Sequence, residues 1–141
     1  MTSSNAGPAT NAMQDKVLLA ARLLVTPLFI YSGVGKILGF GVTASRLPGG
    51  EGGFGSFLAA GSIAIELGCS LALILGIYTR CAALALIVFT ILASLMFHNF
   101  WASPPAAVTA QTVQFLKNLG LIGLFAMIAT FGPGAYSLRK K

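Results

Sequence analysis

Charge is scarce in this sequence: 9% of its 141 residues are charged and 56% are hydrophobic, where a soluble domain carries about 25% charged residues. That leaves too little polar surface to coat a water-exposed globule, and lipid is the simplest solvent for what remains. Cysteine is nearly absent as well. Cys69 and Cys81 form no C-x-x-C pair and no Cys/His set with zinc spacing, so no metal site is expected. Twelve residues and a turn separate the two, which makes a disulfide an unfavourable expectation and free, inert thiols the default. With one histidine, His98, the chain lacks the pair needed for bis-histidine haem ligation, and its cysteines cannot hold an iron–sulfur cluster. No covalently bound cofactor is therefore expected. Any redox cofactor must be diffusible, such as a quinone, or belong to a partner.

Other signatures are missing too. There is no Walker sequence. Gly50, Gly52 and Gly55 match a dinucleotide-binding glycine pattern, but no strand precedes them and no βαβ unit can form, so the match is accidental. Period-two alternation is absent, which excludes a transmembrane β-barrel. The net charge of +6 comes from Lys and Arg scattered singly at the ends of apolar runs, apart from the terminal Arg139, Lys140 and Lys141. Such a pattern orients a membrane protein and meets anionic lipid; it is not the stripe that binds nucleic acid.

What the chain does have is four long apolar runs, and the expected fold is all-α, a four-transmembrane-helix bundle. Residues 1–14 read as a disordered polar tail and residues 15–141 as one membrane domain. The spans are expected at Val17–Phe40, Phe57–Tyr78, Cys81–Phe97 and Phe115–Phe131, each near the roughly 17–25 residues that cross a hydrocarbon core. The first is too long for the core of a cleavable signal and carries Arg22 inside it, so it reads as a retained helix. Thr79-Arg80 is a tight connection that makes spans two and three antiparallel neighbours. Residues 41–55 read as a flexible glycine-rich connection, and Trp101, Pro104 and Pro105 as an interfacial segment.

Four crossings put the two ends and the Thr79-Arg80 turn on one side, with Lys16, Arg22, Arg80, Arg139, Lys140 and Lys141. Lys36, Arg46 and Lys117 fall on the other, and six against three predicts cytoplasmic termini. Ala60, Ala64, Gly68, Ala72 and Gly76 line up every four residues and predict a helix–helix seam, with Gly120 and Gly123 doing the same in span four.

Each span also carries a polar stripe. Span one has Arg22, Thr26, Phe29, Gly33 and Lys36; span two has Ser62, Glu66, Cys69 and Ser70; span three has Thr90, Ser94 and His98. Span four has Gln111, Gln114 and Asn118 with Lys117 beside them. Inward-pointing stripes predict a hydrogen-bonded interior. Glu66, close to mid-span, is the most informative residue, because an unpaired carboxylate at that depth is costly. Arg22 and Lys36 are its candidate partners, and Arg22 reads as the nearer in depth. Three roles stay open for Glu66: a structural pair with Arg22, a proton-handling group beside a redox or transport site, or a neutral hydrogen-bonded acid. Nearer the far end, His98, Trp101, Gln114, Lys117 and Asn118 gather into a candidate quinone or ligand site, since they offer hydrogen bonds and His exchanges a proton near neutral pH. Their alternative is an interfacial cap without chemistry.

Arg22 ahead of PLFIYSGVGKIL, Glu66 ahead of LILGIYTR, FHNFW, and QFLKNLGLIGLFAMIATFGPGAYSL together resemble the DoxX family of small four-helix membrane proteins, over residues 17–138. The resemblance implies a bacterial or archaeal cytoplasmic-membrane protein. It implies a membrane subunit of a quinone-linked oxidoreductase in sulfur or oxidative-stress chemistry, or a non-catalytic anchor that recruits a soluble redox enzyme. The family brings no settled catalytic set. A small transporter is the third reading, and with four helices it would have to form a homo-oligomer.

Overall fold

In the computed structural model, residues 8–138 are described, and among them every regular element is helical. The helices are α1 (Pro8–Leu38), α2 (Phe40–Ser45), α3 (Phe54–Leu75), α4 (Thr79–Phe97) and α5 (Pro105–Phe131), with a short 3-10 turn at Phe100–Ala102 between the last two. Four of them, α1, α3, α4 and α5, are long and apolar enough to cross a membrane. They pack in a ring: α1 on α3, α3 on α4, α4 on α5, with a slighter seam closing α5 against α1.

The boundaries differ from expectation in three places. Residues 8–14, read as disordered tail, continue α1 as helix; residues 1–7 lie outside the described residues. Helix α5 starts at Pro105, ten residues before the expected Phe115, because proline at a first helical position gives up no hydrogen bond. The connection read as flexible is folded: α2 packs on α3 through the fully buried Ala44, and Gly49 and Gly50 take positive φ to turn the chain back.

Proline sits inside α1 at Pro27, where its missing N–H leaves the Leu23 carbonyl without its helical donor. The Thr26 hydroxyl, buried, donates to that carbonyl at 3.2 Å. A hydroxyl one residue earlier thus repairs the break, as intramembrane backbone requires. Thr26→Val should lower the stability of the detergent-solubilised protein by about 0.5–1.5 kcal/mol, read as a fall in melting temperature; an unchanged melt would show that the carbonyl finds another donor.

Both ends of the described chain lie at the same end of the bundle, here the terminal end. After α5 the chain crosses beneath the helices as a strap. The Asp15 carboxylate accepts from the Ala135 N–H at 2.9 Å, Arg22 Nη2 donates to the Tyr136 carbonyl, and the Leu138 N–H donates to the Leu75 carbonyl at 3.0 Å. Arg80 Nη1 donates to the Ala129 and Thr130 carbonyls at 2.9 and 2.8 Å, satisfying the last turn of α5.

Above the strap lies the apolar core of Val25, Phe29, Leu73, Ala83, Leu86, Phe125 and Ile128, all buried. Phe29 is its hub, with ring centroids 5.5 Å from Phe125 and 6.5 Å from Phe89. The polar stripes do face inward, since Arg22, Thr26, Glu66, Ser70, Thr90 and Ser94 are all buried. The small-residue row behaves otherwise. Gly76 is buried at its terminal end, but Ala60, Ala64 and Gly68 are exposed, and a Cβ on Gly68, Gly120 or Gly123 would meet nothing within 4 Å. Within one chain, those positions are no seam.

Candidate functional site

At the loop end, opposite the strap, the four long helices line a chamber of about 720 Å³, open at a rim of exposed side chains, that also takes Thr43 and Leu47 from the α2 connection. Its walls are mostly apolar, including Phe29, Leu58, Ile65, Phe89 and Leu121, with Lys36, Glu66, His98, Gln114, Lys117 and Asn118 set among them. This volume and this mixture are those of small-molecule sites.

Glu66 is paired with Lys36, not with Arg22. Lys36 Nζ lies 2.6 Å from Glu66 Oε2 and 3.0 Å from Ser32 Oγ, and it sits 5.4 Å from the centroid of the Phe89 ring. The ammonium therefore meets a carboxylate, a hydroxyl and an aromatic face, which together replace the water it has given up. The side chain of Glu66 is 3% exposed and that of Lys36 25%, so the pair reaches the chamber from the lysine side.

Helix register explains the partner. A Cβ on Gly33 would stand 3.5 Å from Glu66 Cβ, so Gly33 and Glu66 are level, and the missing side chain lets α1 and α3 approach. Lys36 is one turn away on the same face of α1. Arg22 is about 16 Å below at about 1.5 Å per residue.

Arg22 serves the terminal end. Its side chain is fully buried beside Gly76, the left-handed residue (φ 70°) that ends α3. The Gly76 and Ile77 N–H groups turn back onto the Leu73 and Ala72 carbonyls, and the guanidinium lies at the negative end of the α3 dipole. Its Nε and Nη1 have no hydrogen-bond partner among the described residues, while Nη2 holds the strap at Tyr136.

The second expected group is brought together apart from Trp101. His98 Nδ1 lies 2.8 Å from Gln111 Oε1, a hydrogen bond that ties the end of α4 to α5. Asn118 Nδ2 donates to Ser94 Oγ at 2.9 Å, and Ser94 donates to the Thr90 carbonyl at 2.6 Å, tying α5 to α4. Lys117 is exposed, with Gln114 Oε1 3.5 Å from its ammonium. Trp101 lines no part of the chamber. It is 58% exposed on the 3-10 turn and meets Phe100 and Phe115 edge to face. Sequence reasoning missed Ser32 and Phe89 as partners of Lys36. Ser32 could have been found from its four-residue spacing to Lys36; Phe89 carries no such signal, since it approaches from another helix.

Cys69 and Cys81 are free thiols, and no cluster of potential metal ligands occurs among the described residues.

A ring of four apolar helices with an ion pair inside and a mostly apolar chamber at one end is the architecture of a polytopic membrane protein. The chain belongs to the DoxX family, whose profile matches residues 17–99, that is α1 through α4. Two Escherichia coli (strain K12) relatives extend the likeness over nearly the whole chain. Inner membrane protein YqjF is 36% identical over 126 residues, covering 89% of this chain and 92% of the relative. Inner membrane protein YphA is 29% identical over 130 residues, covering 92% and 93%. No solved structure matches this chain at a significant level. It is a multi-pass inner-membrane protein of that family.

Proposed function

We propose that the protein is the membrane subunit of a quinone-linked oxidoreductase, with its termini in the cytoplasm and a quinone held in the loop-end chamber. The chamber itself carries this reading: a largely apolar space of about 720 Å³ in which a few polar groups converge. A quinone needs apolar walls for its ring and tail and hydrogen bonds for its oxygens, and it supplies two-electron, two-proton chemistry when bound.

The donor set fits such a ligand. Lys117 and the Gln114 amide offer N–H groups to a carbonyl oxygen, and His98, which lines the same chamber, adds an imidazole that can hydrogen-bond a second ligand oxygen. Lys36 holds Glu66 within the wall and keeps the carboxylate in place. The exposed apolar side chains Phe57, Leu92 and Met96 at the rim leave an isoprenoid tail in contact with acyl chains. In this reading a soluble redox partner supplies the electrons. The excess of Lys and Arg at the terminal end supports cytoplasmic termini.

Decylubiquinone titrated into the detergent-purified protein tests the site. Binding should saturate, and His98→Ala and Lys117→Ala should each weaken it about 5–30-fold, the loss of one hydrogen bond, with melting temperatures preserved. Binding that never saturates, or that ignores both substitutions, would reject the quinone reading.

A further inference from the structure

The titratable groups of the interior are distributed unevenly along the bundle. Glu66 is paired with Lys36 of α1, and both line the loop-end chamber together with His98, just past α4, and Lys117 of α5. Cys69, one turn below Glu66 on α3, packs against the apolar core instead.

Between that chamber and the terminal end stand Phe29, Leu73, Leu86, Phe125 and Ile128, each at most 5% exposed. Beneath them the strap is pinned to α1 at Asp15 and Arg22 and to α3 at Leu75. Arg22, at that level, is 0% exposed. A second, much smaller cavity, about 60 Å³ between α4 and α5 near Phe115 and Leu119, shares no residue with the chamber. Toward the loop end the path is open by contrast: Lys117 and Gln114 are exposed, and Lys36 is a quarter exposed while bonded to Glu66.

We infer that the chamber exchanges water, protons and the polar part of its ligand with one side of the membrane alone, the side opposite the chain ends. A charged or hydrated species reaching Glu66 from the terminal end would have to cross a buried layer that is mostly aromatic and aliphatic, in which the Thr26 hydroxyl is already bonded to the Leu23 carbonyl and Ser70 offers a single further hydroxyl, and such a crossing is strongly disfavoured. Water and polar solutes that reach Glu66 and His98 therefore come from the loop side, whatever the ligand. The inference goes beyond the quinone reading and does not depend on it. If the ligand proves to be another amphiphile, the sidedness stands.

Its test is cysteine accessibility in sealed vesicles. The full-length chain with Cys69→Ala and Cys81→Ala carries one new cysteine, Ser62→Cys in the chamber wall or Leu73→Cys in the apolar layer. A sulfonate-bearing maleimide is then added to vesicles of each orientation, which protease access to a terminal tag defines. Ser62→Cys should react about tenfold or more faster when the loop end faces the reagent, because a sulfonate does not cross the apolar layer. Leu73→Cys should stay unlabelled from both sides. Ala93→Cys, on the facing wall, reports the same chamber if Ser62→Cys fails to accumulate. Equal labelling from both sides, faster labelling from the terminal side, or no labelling at either chamber position would overturn the inference. A failed quinone titration would leave this result unmoved.

Discussion

Lys36→Met should destabilise the protein by about 3–5 kcal/mol, the cost of leaving one member of a buried ion pair without its partner. The carboxylate of Glu66 is nearly sealed from solvent, and the Lys36 ammonium is its hydrogen-bond donor among the described residues. Removing Lys36 also takes away the bond to Ser32 and the contact with Phe89. The double variant Lys36→Met/Glu66→Gln should recover most of the loss, because no charge is then stranded in the interior and replacing a buried pair by neutral groups is close to even. Thermal or denaturant unfolding in detergent reads both. If the single variant melts like the native chain, the pair contributes nothing and Glu66 is held by something else.

Gly76→Ala should be comparably severe, about 3 kcal/mol or more from left-handed strain combined with steric overlap. The φ of Gly76 is 70°, and a methyl group there would run into the Arg22 guanidinium and the Ser137 backbone. The α3–α4 turn and the strap would both have to shift. Gly68→Ala provides the contrast on the same helix: a Cβ there meets open space, so the substitution should be neutral or stabilising by up to about 1 kcal/mol through helix propensity. A large loss at Gly68 would mean that this exposed row packs against a second copy of the chain in the preparation tested.

The four spans were legible in the sequence because length and hydropathy alone decide what crosses a bilayer. So were the inward polar stripes, since helical spacing puts Arg22, Thr26 and Phe29 on one face and Thr90 and Ser94 on another. The partner of Glu66 was not. Which cation reaches it depends on the vertical register of α1 against α3, and that is set by how the chain turns between them. The sequence reads that stretch as loose, whereas α2 and the glycine turn pack it down so that Gly33 comes level with Glu66. The role of Arg22 was hidden for a related reason: the four-residue row marks Gly76 only as one more small residue, and the strap that brings Tyr136 beneath the bundle has no periodic signal. Trp101 was grouped with His98 by proximity in sequence. The 3-10 turn rotates it outward onto Phe100 and Phe115. The row from Ala60 to Gly76 shows the limit of spacing as evidence, since it identifies a smooth face without saying whether anything lies against it.

Exchanging the two charges, Lys36→Glu with Glu66→Lys, probes this architecture more sharply than any deletion. Each single reversal sets like charges together at the chamber wall and should abolish accumulation in the membrane or lower the melting temperature steeply. The exchanged pair should regain most of both. If the exchange is no better than the single reversals, while Arg22→Glu with Glu66→Lys restores a stable protein, then α1 and α3 are in a different register and the chamber is not built as described.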